Sequence, residues 1–357
     1  MKILVIGAGA VGSFLGGRLA QAGNEVTLVV RPTAAPLITS DGLFITEGRG
    51  RVQVHLRAVT SLRQAFLDGQ TYDALLICVK SYDTDTVIHE MAAFCPQPPT
   101  IITMQNGIGV EESFIAEFGA DGVVAGSITV PLSMGASNSV LVEVEGKRGL
   151  GLAPVPDGPS PRPWAEMFRR ANITTILARN HESLKWSKVL LNISGNATSA
   201  IVNRHPSVIY RYGPTYDLEL DMLREALAVA NKAGIKLIDL PGPSLNTLVR
   251  AVKWLPRSMV QPVLLRIVSA GRGDKMPSFQ IDLASGKGKN EVAYHNLAIA
   301  ERASLEGMAA PINEALGTIL MRLTRKELDW QRYNGKPDQL VADVRRFQER
   351  SVPPAAE

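Results

Sequence analysis

KILVIGAGAVG, residues Lys2–Gly12, joins a short apolar strand to a helical pattern through a glycine-rich turn. In this setting the spacing G-x-G-x-x-G predicts the phosphate-binding turn of a Rossmann domain. Gly7 permits the tight turn, Gly9 lets the backbone approach a pyrophosphate, and Gly12 lets the helix pack close to the strand. The positive helix start would hold the pyrophosphate, and a glycine turn without a ligand is the alternative. The residues predicted to bind a dinucleotide are Gly7, Ala8, Gly9, Ala10, Val11 and Gly12.

The end of the second predicted strand, Glu25–Val30, bears on which dinucleotide binds. NAD enzymes usually carry Asp or Glu there, which binds the ribose 2′-hydroxyl. Here the next residue is Arg31, and a guanidinium can hold a 2′-phosphate that a carboxylate would repel. We therefore predict NADPH as the cofactor, with a solvent-exposed arginine as the alternative.

The first half of the chain alternates apolar runs with helical patterns, which predicts a parallel sheet covered by helices on both faces. Further strands are expected at Ala74–Val79, Thr100–Met104, Gly122–Ile128 and Ile173–Ala178. Helices are expected at Ala10–Ala22, Asp83–Phe94, Gly109–Phe118 and Pro163–Ala171. Val140–Glu145 and Arg148–Ala153 are expected to pair as a hairpin around Gly146 and Lys147.

The pattern becomes helical after Arg179, and a length of 357 residues fits two domains. The expected fold class is α/β, with an N-terminal Rossmann-like, doubly wound sheet in residues 1–179 and an all-helical domain in residues 180–330. Residues 331–357 are predicted to be a polar C-terminal extension, with a loosely held helix and a frayed tail. The predicted helices are His181–Asn203, Thr215–Ala233, Ser244–Trp254, Asn290–Glu306 and Pro311–Asp329.

One predicted helix, His181–Asn203, carries polar groups on one face of a mostly apolar surface. At roughly 100° per residue, that face holds Lys188, Asn192, Asn196 and Ser199. Buried unpaired amides and ammonium groups are costly, so the face should meet water, a ligand or polar partners. We predict a cleft facing the nicotinamide, with Lys188 as a protonated donor aimed at a carbonyl oxygen. An exposed face with an ordinary lysine is the alternative.

With these segments, the chain resembles the ketopantoate reductase (2-dehydropantoate 2-reductase) family, from Met1 to about Leu323. Several motifs in the same order make the resemblance specific. It implies an NADPH-dependent enzyme of pantothenate biosynthesis that reduces a 2-keto acid, ketopantoate, to pantoate. The motifs are Gly7–Gly12, Gly16–Ala20, Arg31, Val79–Thr84, Gln105–Gly109, Trp186–Lys188, the Asn192/Asn196 pair, Pro277–Asp282, Asn290–Glu291 and Pro311–Asn313.

The resemblance also implies roles for polar residues. Lys188 would be the general acid that protonates the keto oxygen, and Glu291 would be the carboxylate that supports it. Asn192 and Asn196 would bind a substrate hydroxyl, and Ser278 the substrate carboxylate.

By the same resemblance, Lys80 and Asn106 would lie where the cofactor meets the substrate. The chain departs from the family on the substrate side. In the segment 286–297, Ala293 replaces the family's second acid and Asn296-Leu297 replaces an Asn-Gly pair. The cofactor prediction is unaffected, whereas another 2-keto acid is left open as the substrate.

Two other functions stay open at this point. A β-hydroxyacid dehydrogenase also carries lysine and asparagine at this helical spacing, although Gln105-Asn106-Gly107 and Pro277-Ser278 favour the reductase family. A non-catalytic NADP-sensing protein would keep the glycine turn but would not need Lys188.

Composition excludes several partners and locations. Lys and Arg exceed Asp and Glu by only 38 to 34, so we expect neither a nucleic acid nor a membrane as a partner. The five histidines lack metal-ligand spacing, so no metal is expected. Two cysteines, no leader sequence and no long apolar run predict a reducing, cytoplasmic location. The expected partner is a small keto acid, and a homodimer is left open.

Overall fold

A computed structural model describes residues 1–144, 146, 148–272 and 276–351 of the chain. These residues form two compact units. Unit 1 comprises Met1–Lys185 and Leu240–Gly242, and unit 2 comprises Trp186–Asp239 and the described residues from Pro243 onward. The domain boundary predicted near Arg179 falls inside unit 1.

Unit 1 contains two β-sheets. The strands are β1 (Lys2–Ile6), β2 (Glu25–Val29), β3 (Leu43–Glu47), β4 (Gly50–Val54), β5 (Arg57–Val59), β6 (Ala74–Ile77), β7 (Thr100–Thr103), β8 (Val123–Ile128), β9 (Leu132–Met134), β10 (Ser139–Val142), β11 (Gly149–Pro154) and β12 (Thr174–Leu177). The larger sheet has the order β12-β11-β8-β7-β6-β1-β2-β5, and only the β8–β11 pair is antiparallel. The smaller sheet has the order β4-β3-β10-β9.

The central strands of the larger sheet are apolar on both faces. Ile3, Leu4 and Val5 are all fully buried although they alternate across the sheet. Burial of both faces is typical of a parallel sheet enclosed by crossover helices, and the predicted Rossmann-like sheet is confirmed. The helices of unit 1 are α1 (Ala10–Gln21), α2 (Ala35–Asp41), α3 (Leu62–Ala65), α4 (Thr84–Phe94), α5 (Val110–Phe118) and α6 (Arg162–Arg170), with 3-10 helices at Leu67–Gly69 and Ser81–Asp83.

The predicted hairpin between Val140–Glu145 and Arg148–Ala153 is wrong. β10 pairs with β3 and β9 in the smaller sheet, whereas β11 lies between β8 and β12 in the larger one. Val140 and Val142 are buried in the core cluster of unit 1, which draws β10 away from β11. The partner strand β3 follows α2, in a region where the sequence predicted no elements. The turn residues Glu145 and Lys147 lie outside the described residues.

A short segment from the helical half of the chain belongs to unit 1. Leu240 is buried, and the carbonyl oxygen of Pro241 accepts a hydrogen bond from Thr129 Oγ1. Gly242 has a φ of +129°, and a side chain there would meet the guanidinium of Arg148. The core of unit 1 is therefore completed by residues more than fifty positions beyond its last strand.

Unit 2 contains helices and, within its described residues, no strand, which confirms the predicted all-helical region. The division between the units falls inside α7 (His181–Ile193). The further helices are α8 (Ala197–Val202), α9 (Pro206–Arg211), α10 (Gly213–Lys232), α11 (Leu245–Trp254), α12 (Arg257–Arg272), α13 (Ser278–Ala284), α14 (Asn296–Leu305), α15 (Pro311–Thr324) and α16 (Pro337–Ser351), with 3-10 helices at Glu291–Tyr294 and Trp330–Arg332. None of the described helices, in either unit, is long and apolar enough to cross a bilayer.

The continuous helix predicted over His181–Asn203 is wrong. Residues 194–196 form a turn between α7 and α8, and Gly195 has a φ of +63°. A helix cannot continue through that left-handed conformation. The single polar face extrapolated from Lys188 therefore ends within α7, and Ser199 is fully buried in α8.

The C-terminal helix α16 is not the loosely held helix that the sequence predicted. Leu340 and Val344 are fully buried, and Arg345 forms an ion pair with Asp221 of α10 at 2.8 Å. Residues 352–357, the predicted frayed tail, lie outside the described residues. The apolar spacing within 340–344 is that of a packed helix face, which the polar composition of the segment obscured.

We expect Leu340→Ala to lower the free energy of unfolding by about 2–5 kcal/mol, because it leaves a cavity in the core of unit 2. Urea denaturation measures the change. Glu349→Ala, an exposed position on the same helix, is the matched control and should change stability by less than about 0.5 kcal/mol. Equal stability of the two variants would show that α16 does not contribute to the core.

Candidate functional site

The glycine turn between β1 and α1 has two positions that the protein itself restricts to glycine. Gly7 has a φ of +97°, and a Cβ atom there would lie 2.7 Å from the backbone nitrogen of Val79. A Cβ atom on Gly12 would overlap the carbonyl oxygen of Gly7. Both glycines therefore have the packing functions that the sequence assigned to them.

Gly9 is different, because no protein atom requires a glycine there. Its φ is −74°, and a Cβ atom would meet nothing within 4 Å. Gly9 is the N-cap of α1, makes no side-chain cap, and precedes a first turn without an acidic residue. A helix start of this kind offers N–H groups and a positive dipole to an anion. The turn Gly7-Ala8-Gly9-Ala10-Val11-Gly12 therefore fits a dinucleotide pyrophosphate, and Gly9 leaves space for it.

Arg31 lies two residues beyond the end of β2 and is exposed. The neighbouring strand end is tied to the glycine turn, since Ala8 N donates to Val29 O at 3.2 Å. Arg31, Pro32 and Thr33 follow the strand without a carboxylate. The structure thus places a guanidinium, and no acid, at the strand end that usually contacts the adenosine ribose.

Lys80 follows β6, which lies next to β1 in the sheet, and Asn106 follows β7, the next strand beyond β6. Both residues are half-buried. Their loops are joined because Ser81 Oγ donates to the carbonyl oxygen of Asn106. Together with the glycine turn and Arg31, they occupy the carboxyl ends of four adjacent strands, β7-β6-β1-β2. Ligands of open α/β sheets bind at this edge.

A buried ion pair, which the sequence did not single out, supports the same edge. Lys185 Nζ lies 2.8 Å from Glu111 Oε1 and donates to the carbonyl oxygen of Gln105 at 2.8 Å. The two charged side chains are only 2% and 1% exposed. The pair joins the first turns of α7 to the loop that carries Asn106. Its only signal in the sequence is a second lysine one turn before Lys188.

A second, more open contact lies beside that pair. His181 Nε2 is 3.3 Å from Glu112 Oε1. Burial alone would lower the pKa of His181, but the Glu112 contact and the nearby Glu111 carboxylate raise the pKa overall. For Glu112, burial alone would raise the pKa, but the contact with His181 lowers the pKa overall. Both shifts favour the charged pair.

In unit 2, α7 buries most of its surface. Trp186, Val189 and Ile193 are fully buried, whereas Lys188, Leu191 and Asn192 are half-buried. Of the polar face that the sequence predicted, α7 therefore carries Lys188 and Asn192. In the described part of the chain, no three or more His, Cys, Asp or Glu side chains are arranged to hold a metal ion.

Asn196 lies in the turn after α7 and is almost fully buried. Its Nδ2 donates to the carbonyl oxygen of Asn192 at 3.1 Å and contacts Ser278 Oγ at 3.4 Å. Its Oδ1 accepts from the backbone N–H of Phe279 at 3.2 Å. The structure thus brings Asn192, Asn196 and the exposed Ser278 together, and it uses the Asn196 amide to join α7 to α13.

The carboxylate of Glu219 fixes this helix interruption. It is fully buried on α10 and accepts hydrogen bonds from Gly195 N at 2.7 Å and Tyr210 OH at 2.9 Å. A third hydrogen bond comes from Thr198 Oγ1. The Glu219 side chain, which the sequence did not single out, therefore stabilises the turn that carries Asn196.

Glu291 starts the 3-10 helix before α14 and is only 2% exposed. Asn290 caps this helix through Oδ1, which accepts from Val292 N at 3.0 Å, and its Nδ2 donates to Phe279 O at 2.9 Å. Glu291 is thereby held next to α13, the helix that starts at Ser278. The predicted residues Asn192, Asn196, Ser278 and Glu291 come together in unit 2.

His295 connects the members of this cluster and was missed. Its Nδ1 lies 2.8 Å from the carbonyl oxygen of Glu291, and its Nε2 lies 3.4 Å from Asn192 Nδ2. In the sequence, His295 is one of five histidines without metal-ligand spacing. A usable signal was its place in the segment 286–297, where the chain departs from the family it resembles.

These observations define a class of protein: a Rossmann-fold protein with a helical second unit that carries a lysine–asparagine pair. The chain belongs to the ketopantoate reductase PanE/ApbA family. The family's N-terminal model matches residues 3–154, and its C-terminal model matches residues 180–324. The two matched regions span most of the chain.

Individual relatives agree with this assignment. The chain is similar to the 2-dehydropantoate 2-reductase of Pyrococcus horikoshii, with 29% identity over 90% of this chain and 96% of that one. The PanE/ApbA family ketopantoate reductase of Ralstonia eutropha JMP134 has a TM-score of 0.75 at 27% identity, covering 92% of this chain and 99% of that one. A D-mandelate dehydrogenase, solved with NADH and anilino(oxo)acetate, has a TM-score of 0.75 at 18% identity over 91% and 99% of the two chains, and shares the fold.

We expect Lys185→Met to lower the free energy of unfolding by about 3–5 kcal/mol, because it leaves the Glu111 carboxylate buried without its countercharge. Adding Glu111→Gln should restore most of that loss. Urea denaturation of the three variants measures both effects. The control is Arg170→Met, whose partner Glu166 and own side chain are 54% and 77% exposed, with an expected change below about 1 kcal/mol. A Lys185→Met variant as stable as this control contradicts the inferred pair.

Proposed function

We propose that this protein is an NADPH-dependent reductase of a 2-keto acid, with 2-dehydropantoate (ketopantoate) reduced to pantoate. The observation that carries the proposal is the half-buried Lys188–Asn192 pair on a helix whose other unit 2 residues, apart from Leu191, are buried. The family membership and the 2-dehydropantoate 2-reductase names of the relatives support the substrate. The open space at Gly9 supports the dinucleotide.

The cofactor, when bound, supplies a hydride to the keto carbon of the substrate. The Lys188 ammonium donates the proton that the keto oxygen needs to become a hydroxyl. Before the proton moves, the positive charge stabilises the negative charge that develops on that oxygen. Glu291 is the carboxylate that supports Lys188 in this role.

The remaining polar residues of unit 2 hold the substrate. Ser278, which is exposed at the start of α13, binds the carboxylate of the keto acid. Asn192 binds a substrate hydroxyl. Both hydrogens of the Asn196 amide are already engaged, by Asn192 O and Ser278 Oγ, and Oδ1 accepts from Phe279 N, which leaves one lone pair of Oδ1 for that hydroxyl. Asn196 therefore contributes more to orienting the site than to binding the substrate.

In unit 1, the glycine turn binds the pyrophosphate of the cofactor and Arg31 binds the 2′-phosphate. Lys80 and Asn106 contact the cofactor near its nicotinamide end. The absence of a carboxylate at residues 31–33 supports NADPH over NADH. The protein acts as a small-molecule enzyme in the cytoplasm, and a homodimer is its proposed assembly.

We expect Lys188→Ala to lower kcat for ketopantoate by roughly 10²–10⁴-fold, because the proton donor is lost. The dissociation constant for NADPH should stay the same. Steady-state assays at the NADPH absorbance band measure the rate, with Lys232→Ala, an exposed lysine of unit 2, as the control. Unchanged turnover by Lys188→Ala with every keto acid tested would rule out the catalytic role.

We expect Arg31→Ala to weaken NADPH binding by about tenfold or more and to leave NADH binding nearly unchanged, because only NADPH carries the 2′-phosphate. Fluorescence titration of both reduced cofactors gives the two dissociation constants. Arg49→Ala, another exposed arginine of unit 1, is the control. Wild-type protein that binds NADH as tightly as NADPH would defeat the NADPH assignment.

A further inference from the structure

His295 is a buried imidazole at the meeting point of three elements. It is 1% exposed and precedes the first residue of α14. Its ring packs edge-on against Phe279 of α13, with a centroid distance of 5.1 Å and an interplanar angle of 81°. Its two nitrogens contact Glu291 and Asn192, which are separated by about a hundred residues in the chain. A buried polar ring needs hydrogen-bond partners for both nitrogens, and His295 has them.

The two contacts agree on one arrangement of protons. A backbone carbonyl can only accept, so His295 Nδ1, at 2.8 Å from Glu291 O, carries the hydrogen. In a neutral imidazole the other nitrogen, Nε2, is then an acceptor. It lies 3.4 Å from Asn192 Nδ2, an amide nitrogen that can only donate.

This arrangement defines the orientation of the Asn192 amide group. With Nδ2 held by the imidazole, Oδ1 lies on the other side of the amide group. An amide oxygen has two lone pairs and accepts hydrogen bonds, whereas the amide nitrogen only donates. The rotated amide has the same shape, but it would place Oδ1, an acceptor, against the Nε2 acceptor of His295, so the imidazole favours the orientation with Nδ2 towards it.

Resting on the function proposed above, we propose that His295 is a positioning residue that determines substrate specificity. It holds Asn192 with its amide oxygen as the acceptor for a substrate hydroxyl, and so favours 2-keto acids that carry a hydroxyl over those that lack it. A site that hydrogen-bonds a substrate hydroxyl discriminates strongly against the analogue without one, because its own polar group then stays unpaired.

The test compares ketopantoate with 3,3-dimethyl-2-oxobutanoate, the same keto acid without its hydroxyl. We expect His295→Leu to lower the ratio of kcat/KM for the two acids by about tenfold, mainly through a higher KM for ketopantoate. His295→Gln should keep the ratio within about threefold, since its amide can donate to Glu291 O and accept from Asn192. NADPH binding should be the same in all variants.

Two comparisons separate positioning from a merely structural role. If His295 acts through Asn192, His295→Leu has no further effect on the ratio in an Asn192→Ala background. A purely structural role would reduce both kcat/KM values equally and leave the ratio unchanged, which overturns the proposal. If His295→Leu does not fold, His295→Asn, which is polar but too short to span both partners, makes the same comparison.

Measurements on the wild-type protein separate a failure of the role of His295 from a failure of the proposed function. If it reduces both acids with the same kcat/KM, and all variants do likewise, the reductase function stands and the role of His295 is overturned. If it reduces no keto acid with NADPH, the proposed function and this inference both fail.

Discussion

The close approach of α1 to the end of β1 is the constraint on which the rest of the structure depends. No side chain fits at Gly12 against the carbonyl oxygen of Gly7, so the helix can start directly above the strand. That contact aims the N–H groups of the first helical turn at the carboxyl edge of the sheet. Parallel pairing then brings Arg31, Lys80 and Asn106 to the same edge, although they lie far apart in sequence.

The polar cluster of unit 2 depends on the break between α7 and α8 and not on one continuous helix. A left-handed Gly195 ends α7, and the buried Glu219 carboxylate accepts the N–H that the break exposes. A buried carboxylate is tolerated where several donors satisfy it, as the hydroxyls of Tyr210 and Thr198 do here. The same break lets Asn196 bond across to α13, so the geometry of the polar cluster depends on a short turn.

Sequence reasoning succeeded where a local pattern carries the information. The apolar runs gave β1, β2, β6, β7 and β8 nearly to the residue, and the glycine spacing located the phosphate turn. It failed where the structure depends on residues that are far apart in the chain. β10 pairs with β3, Lys185 pairs with Glu111, and His295 contacts Asn192. A glycine inside an apolar helical pattern does not reveal whether its φ is negative or positive, so the break at Gly195 was invisible.

The return of Leu240–Gly242 to unit 1 has a consequence for how the chain matures on the ribosome. Synthesis proceeds from the N-terminus, and domains generally fold as units once their residues have emerged. The hydroxyl of Thr129 meets the carbonyl of Pro241 only after about a hundred further residues have been added. Unit 1 therefore gains these contacts only after part of the helical half has been synthesised, and a fragment cut at β12 would leave that hydroxyl without this partner.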